Sequence, residues 1–400
     1  MALGLTAPWY ISKIEFKDSE THSEGKELHL YVEHKKGTKF EVSGQSYSKY
    51  DSQSRQWRHL NFFQHLCYLH CDVPRVRTAT GHTVLVDVPW SNVGSSFTLL
   101  FEAYAMLMVK SGMSLSSAGR CMHIDGRRIG RIIKSAVDEA MQTQGLEQVQ
   151  EAGLDETSIR KGHNYVTVLT DRKRKKVVGL GLGKDKAAVQ VAVNEMAARG
   201  SKGEKVETLT IDLSPAYISS SQELFANAEV VFDRFHLDQL LGKAVDEVRR
   251  EEQKESAELK NSRYFWLRNE KNLSKEKLER VHYLEKTYPR IGKAYRLKEQ
   301  FKEIWNNPTK ATAIEDLEKW LEMAWDSSIV PMQKFVNTIN AHWYGVETYF
   351  DKIQTNAFAE RVNLKIQEIK RIAKGYRNTN NLFAMIYFHL GGFVFDRPTK

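Results

Sequence analysis

The feature that most constrains this chain is a change of hydrophobic period near residue 147. Just before it, over 97–143, apolar residues recur at helical spacing. After it come short apolar runs of strand length, separated by single helical patterns. Residues 149–155, 165–169 and 176–182 read as three strands, the last two joined by a turn over 171–175. Residues 184–199 carry Ala188, Val191, Met196 and Ala197 at helical spacing, and 208–213 and 228–232 read as a fourth and a fifth strand. Between these last two, Ser214-Pro215 supplies an N-cap and a first helical residue. Strands joined through helices satisfy their backbone groups in one sheet with helices packed on it, an α/β layer. The order three strands, helix, strand, helix, strand is that of an RNase H-like core.

The flanking regions have a different grammar. Residues 11–16, 28–33, 39–42, 66–73 and 83–88 alternate apolar and polar side chains as half-buried strands do. Residues 97–110 and 115–122 then read as helices. After a turn at His123-Ile124-Asp125, a third helix has Ile129, Ile132, Ile133 and Val137 as its apolar face. Helix, short turn, helix is the pattern of a helix-turn-helix, with Arg127, Arg128, Arg131 and Lys134 on the exposed side for DNA. The plain alternative is a small bundle with a solvated basic face. Residues 235–340 are dominated by charged helices, and a last helix over 355–374 ends at Gly375 as a C-cap. The fold class expected is therefore multidomain α+β and α/β. Its parts are a strand-rich module (1–95), a helix-turn-helix (96–145), an α/β core (146–240), a helical insertion (241–340) and C-terminal helices returning to the core (341–400).

Composition removes several classes. In 400 residues, 41% are hydrophobic, enough for a buried core and too many for a disordered chain. Three cysteines without a CxxC pair exclude a disulfide scaffold. The longest apolar stretch, 97–109, is broken by Glu102 and is too short to span a bilayer, so no membrane is expected. The first lysine is Lys13, so no basic leader is read and a soluble, reducing compartment is expected. A net charge of +9 suits an acidic partner such as nucleic acid.

Asp155 and Asp212 fall at strand positions that an α/β sheet makes neighbours, and Glu360 lies on the last helix. Asn356, Glu360 and Asn363 share one face of that helix, opposite the apolar stripe Phe358, Val362, Ile366, Ile369 and Ala373. Three carboxylates suit a hard cation such as Mg²⁺. Two such ions about 4 Å apart can activate an attacking oxygen and stabilise a leaving one at phosphorus. The chain has 50 acidic residues, and capping or surface pairing accounts for most such triplets. Asp233 and His236 form a second group, in which Asp233 also reads as the cap of the following helix.

The block Asp155-Glu156-Thr157-Ser158-Ile159-Arg160-Lys161-Gly162-His163-Asn164-Tyr165 resembles the first catalytic block of the ISL-three family of bacterial insertion-sequence transposases. Ile211-Asp212-Leu213-Ser214-Pro215-Ala216-Tyr217 and Asp233-Arg234-Phe235-His236 resemble its later blocks, and Thr355-Asn356-Ala357-Phe358-Ala359-Glu360-Arg361-Val362-Asn363, followed by Ile369-Lys370-Arg371 and Gly375-Tyr376-Arg377, resembles its final one. Trp57-Arg58-His59-Leu60, Val73-Pro74-Arg75-Val76 and Val88-Pro89-Trp90 resemble its N-terminal region.

The resemblance implies a DDE transposase with Asp155, Asp212 and Glu360 as a triad for two Mg²⁺ ions. Asp233, His236, Asn356 and Asn363 would lie adjacent, and Arg361, Lys365, Lys370, Arg371 and Lys374 would line the DNA path. It further implies double-stranded DNA partners (terminal inverted repeats and target), a homodimer in a synaptic complex and a bacterial cytoplasmic, nucleoid-associated location. The alternative is a DNA-binding regulator or inactive remnant on the same fold. The chain departs from the family at the paired cysteines of a zinc-ribbon-like module. Cys67 and Cys71, with His59, His65 and His70 nearby, make a poor four-ligand set, so zinc is not expected.

Overall fold

A computed structural model describes residues 5–19, 26–160, 162, 164–352 and 357–395. Its contacts divide the chain into two compact units, Met1–Thr143 with Glu368–Lys400, and Gln144–Gln367.

The first unit opens with strands β1 (Trp9–Asp18), β2 (Lys26–His34), β3 (Lys39–Val42), β4 (Gln45–Phe62), β5 (His65–Arg77) and β6 (Thr83–Leu85). They form a mostly antiparallel sheet in the order β1-β2-β5-β4-β3, with β6 on β5 and a parallel β2–β5 pair. Its core is knotted by Trp90, which meets Trp9 and Trp57 edge-on with ring centroids 5.1 and 5.5 Å away. The 18-residue β4 is absent from the sequence reading. Most of its residues up to Gln56 are exposed, so the apolar signal begins only at Trp57.

Cys67 and Cys71 lie inside this core, where burial pushes their thiols up to about 11 and about 12. Neutral thiols in an apolar core pack as small hydrophobes. Arg58 is also buried, donating to the Cys67 carbonyl oxygen (3.1 Å). His59 Nδ1 meets Thr98 Oγ1 at 2.8 Å, and burial holds this imidazole down at about 4.

Thr98 caps α1 (Leu99–Lys110), which is followed by α2 (Leu115–Met122) and α3 (Gly126–Thr143). The tight turn predicted at 123–125 is present, with His123 in the left-handed region at φ 54°. The two helices touch backbone to backbone. A Cβ on Gly119 would lie 2.6 Å from the Ile124 carbonyl oxygen, and one on Gly126 2.6 Å from that of Leu115. Ile129, Ile132, Ile133 and Val137 are buried as predicted. The last helix, α14 (Thr379–Leu390), packs on α3.

The second unit is built on a five-stranded sheet of β7 (Glu151–Arg160), β8 (Asn164–Asp171), β9 (Lys176–Leu182), β10 (Thr208–Ile211) and β11 (Glu229–Phe232). The order is β11-β10-β7-β8-β9, antiparallel across β7–β8–β9 and parallel across β7–β10–β11. The sequence reading stops the first strand at residue 155, whereas β7 runs on to Arg160, paired with β8 beyond Asp155. Helix α4 (Lys186–Ala198) crosses β9 closely enough that a Cβ on Gly181 would fall 1.9 Å from the Ala188 carbonyl oxygen. Helix α5 (Pro215–Leu224) links β10 to β11.

Helices α6 (Arg234–Glu252), α7 (Arg263–Leu267), α8 (Lys275–Thr287), α9 (Pro289–Ile304), α10 (Lys310–Asp326), α11 (Val330–Ala341) and α12 (Trp343–Lys352) follow. They share one hydrophobic core with the sheet, from Leu154, Ile211 and Phe232 to Trp266, Phe301 and Trp320. Trp343, the first residue of α12, packs partly buried against that core. Helix α13 (Ala357–Ile372) belongs to this unit as far as Gln367, with Val362 and Ile366 buried and Phe358 half-buried; in the first unit's part of the chain Ile369 is buried and Ala373, just past the helix, is half-buried. No helix among the described residues is long and apolar enough to cross a membrane.

Candidate active site

Strand register brings three aspartates level. Thr210 pairs with Gly153, so two residues further Asp212 comes beside Asp155. Ile211 pairs with Phe232, so one residue further Asp233 comes beside Asp212, and the Asp233 amide donates to the Ile211 carbonyl at 3.0 Å. Neighbouring strands lie about 4.8 Å apart, so the three acids occupy one short row.

Each aspartate is held by its local turn. Asp155 Oδ1 accepts from the Glu156 amide (2.7 Å), and Asp212 Oδ1 accepts from that of Ser214 (2.9 Å). Asp233 is the N-cap of α6, its Oδ1 accepting from the Phe235 amide at 2.9 Å, as the capping alternative expected. Its other oxygen lies 3.6 Å from His236 Nε2. The His236 imidazole also lies within electrostatic reach of Asp155 and Asp212.

Helix α13 is pinned across β7 by two amides one turn apart. Asn363 Nδ2 donates to Asp155 Oδ2 (2.8 Å), and Gln367 Nε2 donates to Thr157 Oγ1 (2.9 Å) and the Ser158 carbonyl (3.1 Å). Glu360 lies one turn before Asn363 on the same face, exposed and within electrostatic reach of Asp233. Asn363 Oδ1 is buried and has no hydrogen-bond partner among the described residues.

Desolvation raises all three aspartates above the ordinary carboxylate range, Asp155 to about 6. For Asp233 the nearby Glu360 adds to the rise, while His236 and Arg172 oppose it. Burial in low dielectric penalises the charged form, so this row stores unfavourable negative charge. Oxygen-only donors in such a cluster match a hard divalent cation in chemistry. Among the described residues, no three His, Cys, Asp or Glu side chains close in to hold an ion in this conformation.

Of the residues selected from sequence, the structure sets Asp155, Asp212, Asp233, His236 and Asn363 side by side, and leaves Glu360 exposed, within electrostatic reach of Asp233. Asn356 lies outside the described residues. Two contributors were missed. Gln367 follows Asn363 by four residues, a spacing that marks it as a second contact on that face. Glu156 is raised first by burial and then by Asp212, and its carboxylate lies 3.9 Å from Lys184 Nζ.

The basic residues divide between the units. Arg361 and Lys365 lie in the second, while Lys370, Arg371 and Lys374 belong to the first with the helix-turn-helix. On α3, Arg127 grips Asp125 with Nε at 3.0 and 3.1 Å from the carboxylate oxygens. Arg128 folds back onto Phe97 (4.3 Å to the ring centroid) and Ser96, and Lys134 pairs with Asp138. Arg131 is exposed.

A helix-turn-helix followed by a carboxylate-bearing α/β domain defines a class, and two family models give it its name. Residues 86–137 match the helix-turn-helix domain of transposase family ISL3, and residues 152–386 match the ISL3 DDE model described as transposase. The chain belongs to the ISL3 transposase family. It is 24% identical over 349 residues to the transposase for insertion sequence element IS1001 of Bordetella parapertussis, covering 84% of each chain. It is also 24% identical over 388 residues to the transposase for insertion sequence element IS1557 of Mycobacterium tuberculosis, covering 89% of this chain and 86% of the relative.

Proposed function

We propose that this chain moves an insertion sequence by binding its terminal inverted repeats, cutting at the ends and joining each freed 3′-OH to target DNA. The observation that carries the reading is the level row of desolvated aspartates, with α13 fastened to it through Asn363. The strand order and directions of the second unit fit an RNase H-like sheet. The sequence reading returned all of 341–400 to the core, whereas the contacts group 368–400 with the first unit; in this reading 1–95 and the helix-turn-helix would bind the ends, 146–240 with 341–367 would do the chemistry, and 241–340 would be an insertion.

Asp155, Asp212 and Glu360 would hold the cations. Bound there, two Mg²⁺ ions would activate the attacking oxygen and stabilise the leaving one. Asn363 orients Asp155 and favours its ionised form. His236 faces the row from α6, and Asp233 fixes the start of the helix on which His236 stands. On α3, Arg131 is the cation best presented to bases, with phosphate contacts from its neighbours giving affinity. Two ends cut together imply a homodimer or larger assembly.

The test is cleavage and joining on labelled duplexes carrying the repeats that flank the gene, with Mg²⁺ or EDTA. Nicking at the repeat boundary is expected for the wild type, lost in EDTA and in Glu360→Gln, with end binding kept in both. Tight end binding without any cutting would overturn the enzymatic reading and favour a regulator.

A further inference from the structure

The first unit carries a groove of about 1260 Å³ with the helix-turn-helix along one wall and residues 372–385 along the other. The second wall exists because α14 packs on α3, which lays the link before α14 alongside α2 and α3. Of the lining side chains, seven are cationic and one, Asp125, is acidic; Asp125 is already gripped by Arg127, and of the cations Lys134 is also paired, with Asp138 just outside the groove. The cations come from three separate segments, Arg120 on α2, Arg131 and Lys134 on α3, and Lys374 and Arg377 on the link. Cations gathered around one space repel each other unless an anion lies among them. A DNA duplex supplies phosphates about every 1.7 Å along its axis on two strands, which suits walls charged on both sides.

We propose that the link over residues 374–378 is a second DNA-binding wall, with Lys374 and Arg377 holding backbone phosphates of the same duplex that α3 reads. The inference rests on the reading of the helix-turn-helix as the end-binding element. It moves Lys374 from the path beside Glu360 to the end-binding groove and adds Arg377, to which the sequence reading gave no role.

The experiment is fluorescence anisotropy of the full chain against two labelled duplexes, one carrying the repeats that flank the gene and one scrambled, across a salt series. Lys374→Gln and Arg377→Gln are each expected to weaken binding about three- to tenfold on both duplexes. Each should also flatten the salt slope by about one. Arg377→Lys should bind close to wild type, and failure of that rescue would assign Arg377 a structural role and overturn the proposal. Wild-type affinity and slope in both Gln variants, beside weakened binding in Arg131→Gln, would overturn this inference alone and leave end binding standing. Loss confined to the repeat duplex would overturn the phosphate assignment. Absence of wild-type binding to either duplex would bring down the functional reading and this inference with it.

Discussion

Asp155 carries a cost that the fold bears for its site. Its carboxyl is raised to about 6 by burial, so above that pH the folded state holds a charge that the unfolded chain carries more easily. The folded protein takes up a proton as pH falls through 6, and this penalty has gone once pH drops below the ordinary aspartate value. Asp155→Asn, assayed in EDTA, is therefore expected to stabilise the protein by on the order of 2 kcal/mol at pH 7–8. The gain should shrink to nothing near pH 4, and thermal melts across pH would show it. A melting temperature for Asp155→Asn equal to or below wild type at pH 8 would contradict the burial argument. Mg²⁺ should raise the melting temperature of the wild type and not of the variant, a readout independent of DNA cutting. Asn363→Ala removes a hydrogen bond that favours ionised Asp155, so the acidic limb of a cleavage–pH profile should move to higher pH. An unmoved limb would show that Asp155 is oriented by something else.

At the scale of elements, the helix-turn-helix depends on two bare backbones meeting. Gly126→Ala puts a methyl 2.6 Å from the Leu115 carbonyl oxygen, where neither partner is a flexible side-chain end. Separating α2 from α3 should cost about 1–3 kcal/mol and weaken end binding, and a denaturation curve with wild-type midpoint would refute the close packing. The same scale shows what sequence patterning could and could not convey. Strands β8 to β10 were readable because their side chains are buried almost continuously, leaving short apolar runs with clear edges. The α3 stripe was readable because its burial follows the helical period. Strand β4 was not, since its long exposed stretch carries polar residues that look like a loop. Asp155 and Asp212 could be chosen as strand-borne acids, yet their level alignment is a matter of register, which single strands do not encode. The Asn363–Asp155 and Gln367–Thr157 bonds join residues more than 200 positions apart, beyond the reach of any local pattern.

The largest-scale feature is the make-up of the first unit, assembled from segments that lie on both sides of the second unit in sequence. Helix α14 buries Leu382, Met385, Ile386 and Phe388, and it packs on the helix that carries Arg131. A fragment of residues 1–143 should therefore melt lower than one in which 368–400 is joined to it by a short linker. It should also bind the hydrophobic dye 8-anilinonaphthalene sulfonate, which the joined form should not. Equal melting temperatures would show that α14 contributes no stability to the unit. The order of synthesis gives this arrangement a further meaning. A ribosome must pass Gln367 and finish α14 before α3 receives its packing partner, so the unit that carries the helix-turn-helix matures after the residues of the candidate site have emerged. A copy of the gene broken anywhere before α14 would release polypeptides lacking that partner. If the chain binds transposon ends as proposed, such fragments would compete poorly for them, leaving intact elements free of interference from their own wreckage.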